Sequence, residues 1–76
     1  MNGKKRGQLR EARALLLQAA NIVSQVLDDE QYCLDNIPEN LQSSEKYEHM
    51  ETTISKLEDA VENIETAEEY LNEASE

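Results

Sequence analysis

His49 stands in the stretch EKYEHME, among Glu45, Glu48 and Glu51, and carboxylates around an imidazole are the raw material of a metal site. Helical bundles that hold paired metals use inward-facing Glu-x-x-His motifs. Here the residue three before His49 is Lys46, and the helical spacing turns His49 outward. A complete ligand set is missing, so a solvated histidine is expected. Cys33 is the single thiol, which leaves no partner for an internal disulfide and fits a reducing compartment. A nucleophilic cysteine needs a base and an open setting. The one histidine belongs to a different helix and faces away, so Cys33 reads as a small apolar residue in a helix seam. No glycine-rich phosphate loop, nucleophile–base pair, Cys/His metal spacing or glycosylation sequon is present. The expectation is a protein that is not an enzyme and takes no cofactor or metal.

Carboxylates are the remaining chemistry. Glu58, Glu62, Glu65 and Glu69 recur at helical spacing, with Glu48, Glu51 and Glu76 on the same polar side. Such a ridge is ordinarily a solvated face. Spaced carboxylates also imitate phosphates, because a Lys/Arg groove recognises negative charge before it recognises sequence. Glu30 and Glu68 differ in falling at apolar-seam positions. Both can reach solvent near the bundle ends, or Glu68 can pair with Arg13. Alternatively they are polar seam residues that set register or oligomer state.

Helix positions all of these side chains. Phe and Trp are absent, and the two Gly and one Pro lie in the N-terminal segment and in LDNIPENLQSSEKYEHM, Leu34 to Met50. Alternating β patterns are missing, so the class is all-α. From Leu9, apolar residues step by three and four through Ala12, Leu16, Ala19, Val23, Val26, Cys33 and Ile37. Leu15 and Ile22 flank this line on one side, and Ala20, Leu27 and Leu34 on the other. Written as heptad positions a and d, the line predicts the hairpin seam. With its flanks it is four positions wide, more than one neighbouring helix can cover. A second line runs through Tyr47, Met50, Ile54, Leu57, Val61, Ile64 and Leu71, flanked only by Ala60, Ala67 and Ala74.

Between the two lines, Pro38 cannot continue a helix and pushes Ile37 out of helical angles. Ser43 or Ser44 can cap the second helix, with Glu45 well placed in its first turn. Leu41 is expected to plug the end of the seam. The segment is a corner, not a linker. The prediction is an antiparallel two-helix hairpin, helices about 8–36 and 44–74, with the corner at 37–43 and a frayed basic tail over 1–7. An apolar strip of Leu15, Ile22, Leu27 and Leu34 is expected to remain exposed and to drive homodimerisation into a four-helix bundle with helix 1 central.

Charge agrees with a hairpin. Residues 1–13 hold five bases against one acid, a balance of +4, while the rest holds sixteen acids against two bases, a balance of −14. Bases at a helix N-terminus and acids at a helix C-terminus each oppose the macrodipole by about 0.3–1 kcal/mol. Antiparallel folding sets those two unfavourable ends side by side. The acidic body repels nucleic acid and anionic membrane, so neither is an expected partner. The stretch KKRGQLREARALLLQAANIV is broken by Glu11, Arg13, Gln18 and Asn21, so neither a secretory signal nor a membrane span is expected. A cytoplasmic protein is the default.

The segment Leu34 to Leu71, about half the chain, resembles short acidic helical proteins of Gram-positive prophages and mobile elements. The shared features are the corner Asp-Asn-Ile-Pro-Glu-Asn-Leu-Gln (Asp35 to Gln42), a Ser-rich cap and a Glu-rich heptad helix. That group has no assigned function, so the resemblance implies a genomic setting and no activity. Phages use small acidic proteins to block host nucleases, so the setting favours the phosphate-mimic reading. Two functions are therefore in play: a self-associating interaction or structural module, and an acidic inhibitor of a basic nucleic-acid-handling protein. In the first, another protein can take the place of the second copy.

Overall fold

Pro38 decides the outline of the molecule. In the computed structural model, which describes all 76 residues, α1 (Gly3–Asp35) stops three residues before it and α2 (Glu45–Ala74) begins seven after, with a short 3-10 turn over Glu39–Leu41 between them. The helices lie antiparallel, and there is no strand. Pro38 itself is extended (φ −56°, ψ 144°), and its carbonyl accepts the Leu41 amide at 2.9 Å. Ser44 then ties the turn to α2 with one hydroxyl. Its Oγ donates to the Leu41 carbonyl at 2.8 Å and accepts the Tyr47 amide at 3.2 Å, which satisfies one of the free amides of the first helical turn. Of the two candidate caps, Ser44 is the one used. Leu41 does not plug the seam: it is 49% exposed at the corner surface.

The N-terminal segment departs from expectation. Residues 3–7 form the first turns of α1, which starts at Gly3 and not near residue 8; Asn2 caps it, its side-chain oxygen accepting the Lys5 amide at 2.9 Å. Neither glycine has a positive φ, so both sit in ordinary helical geometry. At the other end Asn36 closes α1 by donating its side-chain amide to the Tyr32 carbonyl at 2.7 Å.

The hairpin measures 59 × 15 × 12 Å, and its radius of gyration is 17.4 Å. A compact chain of this length would have about 11 Å. Only Ala20, Leu34 and Ile54 are buried, so two helices touch along a line and enclose almost nothing.

That line is rotated from the expected one on α1. Position a (Leu9, Leu16, Val23, Glu30) is turned inward as expected. Its companion is position e, Ala20, Leu27 and Leu34, and not position d. Leu34 is buried and Leu27 half-buried, whereas Val26 is 45% exposed and Cys33 is exposed. The expectation that Leu27 and Leu34 face outward is therefore corrected, as is the placing of Val26 and Cys33 in the hairpin seam. The cause is side-chain size. The narrow stripe of α2 covers only two positions, and turning two leucines inward removes more apolar surface from water than turning in a valine and a cysteine. The same rotation aims Arg13, also at e, across at α2. Along α2 the expected stripe holds: Ile54 is buried, and Tyr47, Met50, Leu57, Val61, Ile64 and Leu71 are half-buried.

Candidate functional site

With a and e spent on the hairpin, positions d and g of α1 are left over. They form a second seam, Ala12, Leu15, Ala19, Ile22, Val26 and Cys33, stepping by three and four and interrupted only by Asp29. Leu15 and Ile22 are 58% and 57% exposed. At about 100° per residue this seam lies roughly a quarter-turn around the helix from the inner one. On α2 the same turn brings up Lys46, Thr53, Ala60, Ala67 and Ala74, a flank that carries no acid. One broad face of the two-helix ribbon is thus apolar and small-residued. At its corner end Cys33, Ile37, Pro38, Leu41 and Met50 line a shallow apolar cleft with Lys46 at its edge.

The other broad face is its electrostatic opposite. Glu58, Glu62, Glu65 and Glu69 line a single open groove, together with Thr66, over a floor of Leu27 and Val61. All four carboxylates are exposed. Leu27, expected in the self-association strip, belongs to this groove instead. Of that strip, Leu15 and Ile22 remain together on the outer seam and Leu34 is turned inward. Sequence reasoning missed Val26 and Cys33 as members of the outer face. Their spacing of seven with Leu15 and Ile22, offset by four, was the available signal.

The polar seam residues resolve differently from each other. Glu68 accepts from Arg13 Nε at 2.8 Å and Nη2 at 2.7 Å, both nitrogens converging on Oε1, with 27% and 16% of the arginine and glutamate side chains exposed. This is the one ion pair of the hairpin, and it joins the basic start of α1 to the acidic end of α2. Lys4, Lys5, Arg6 and Arg10 have no such partner. Glu30 is half-buried without an ion pair. No buried side-chain polar atom lacks a hydrogen bond.

For chemistry the surface is sparse. His49 is exposed, and no three His, Cys, Asp or Glu side chains gather closely enough to hold a metal ion. No helix is long and apolar enough to cross a membrane. No family model, curated protein or solved structure matches this chain.

Proposed function

We propose that this protein is a non-enzymatic, self-associating helical module whose work is to hold other things together. Its active unit is a homodimer, a four-helix bundle with α1 central. The observation that supports this reading is the outer seam of α1. Leu15, Ile22 and Val26 stand exposed in a row on a face with almost no charge, in a protein of formal charge −10. The hairpin's accessible surface is 5794 Å². A compact chain of 8.7 kDa would expose about 4,700 Å². The excess, about 1,100 Å², is of the size that one partner contributes to a stable interface. A prophage or mobile-element setting, as the resemblance of the corner implies, and cytoplasmic residence, in keeping with a single thiol, complete the proposal.

Sedimentation equilibrium over a wide concentration range tests it. The expected mass is twice 8.7 kDa, and Leu15→Glu with Ile22→Glu should return a helical monomer. A wild-type monomer throughout would end the self-association reading.

A second reading rests on the opposite face. Four exposed carboxylates bound one groove with an apolar floor, the form a nucleic-acid mimic needs to occupy a basic cleft. In that reading the protein inhibits a basic nucleic-acid-handling partner. Such binding weakens steeply with salt and is lost on reversing Glu58, Glu62, Glu65 and Glu69 to Lys. Retained binding after that reversal would dismiss it.

A further inference from the structure

The outer seam also carries information about direction. We infer that the occupant of this face is a second copy of the chain lying antiparallel, α1 against α1, with its basic first turns over the acidic corner of its mate. The inference rests on the self-association reading and adds the orientation and register to it.

Charge sets the direction. Residues 1–13 carry a balance of +4, and only Arg13 of their five bases is neutralised within the hairpin. At the far end of α1 and through the corner, residues 28–46 hold six acids against one base, Lys46. A parallel pair would stack four unpaired cations on four others and six acids on six. The antiparallel pair sets each unpaired basic end against an acidic one, twice by symmetry. A two-fold axis is also what a self-complementary face demands.

Apolar spacing sets the register. Placing the axis beside Ser24 brings Ile22 against Val26 of the second copy and Leu15 against its Cys33, so every exposed apolar residue of the seam meets another. Ala19 then meets Asp29, a small residue beside a short carboxylate that can turn to solvent. In this register Arg13 of one copy is level with Asp35, the last residue of the other's α1, so Lys4 to Arg10 extend past that helix end over the corner, toward Glu39 and Glu45. The shallow apolar cleft of the corner lies at the end of the same track, so the helix start of the second copy covers it.

The native thiol makes the arrangement measurable. In the antiparallel register the two Cys33 residues lie nine positions either side of the axis, about 27 Å apart along it at 1.5 Å per residue. A nitroxide on Cys33 should therefore give an inter-label distance of about 30 Å by pulsed dipolar spectroscopy. Under mild oxidation the wild type should stay non-covalent, while Leu15→Cys should form a disulfide to Cys33 of the second copy within a dimer. The dissociation constant should rise at least tenfold from low to high salt as the end charges are screened. A label distance under 15 Å, or rapid Cys33–Cys33 cross-linking of the wild type, would mean a parallel pair or an axis beside Cys33, and either overturns the inference while leaving self-association intact. A monomeric mass would remove the underlying reading and this one with it.

Discussion

Leu34 and Cys33 are neighbours in sequence on opposite sides of the seam assignment, and replacing each with Ala separates the two. The measurement belongs on a Leu15→Glu, Ile22→Glu background, where the outer seam is disabled and only the hairpin's own stability is read. Leu34 is 8% exposed, so truncation removes three carbons turned toward α2. Large-to-small core changes cost about 2–5 kcal/mol. The hairpin is only two helices thick and neighbouring side chains can close over the gap, which places Leu34→Ala at the lower end, about 2–3 kcal/mol. A chain of this size has roughly 4–11 kcal/mol of total stability. The melting temperature should fall by roughly 10–20 °C. Cys33 is exposed, and its replacement should cost less than about 0.5 kcal/mol. Urea titration followed by circular dichroism resolves the difference. If Cys33→Ala proves the costlier change, α1 is rotated to its a/d face, and the assignment of both broad faces collapses.

Named contacts give three further expected outcomes. A double-mutant cycle on Arg13 and Glu68, each to Ala, should give a coupling of about 1 kcal/mol that shrinks with salt, since both nitrogens share one oxygen and the pair is only partly buried; zero coupling at low salt would deny the pair. Ser44→Ala removes both a cap and a tie to the 3-10 turn, and should cost about 0.5–2 kcal/mol in urea unfolding. Gly7→Ala should stabilise the chain by about 0.5–1 kcal/mol, because Gly7 is helical and an added Cβ would meet only the Arg10 side chain at 3.9 Å; a loss of stability would contradict the start of α1 at Gly3.

The class, the corner and α2 were legible because each was announced by a single unambiguous signal. Pro38 and a serine mark the corner, and α2 has one apolar stripe bordered by alanines and carboxylates, so only one rotation buries it. Helix α1 was ambiguous for the opposite reason. Its stripe spans positions d, a, e and g, and two rotations each present a continuous seam with period three and four. Periodicity cannot choose between them. Volume can: Leu27 and Leu34 against Val26 and Cys33 favours the e side, and Arg13 at e is the rotation that reaches Glu68. The helical N-terminus was masked by two glycines and three consecutive bases, each unfavourable there, while the Asn2 cap that offsets them is a single residue. The acidic groove was half legible. The four glutamates share a ridge in the sequence, but their apolar floor at Leu27 comes from the other helix and exists only once α1 has taken its rotation.

The Arg13–Glu68 link has a mechanical side. It joins residues 55 positions apart in sequence and stands near the open end of a 59 Å rod whose only covalent crossing is the corner. Apart from Leu9 and Leu71 beyond it, the apolar contacts between the helices are rungs between that clasp and the turn. Pulled by its two ends, such a hairpin is loaded one rung at a time, in the manner of a zip, so low forces open it from the clasp toward Pro38. Closing runs the other way, since the shortest loop is at the corner and each rung made there shortens the loop that the next must close. Amide exchange should grade along the rod accordingly, slowest in the helical turns nearest the corner, before Leu34 and up to Ile54, and fastest on the open side of Arg13. A partner laid along α1 would bridge many rungs at once and convert the zip into a strut.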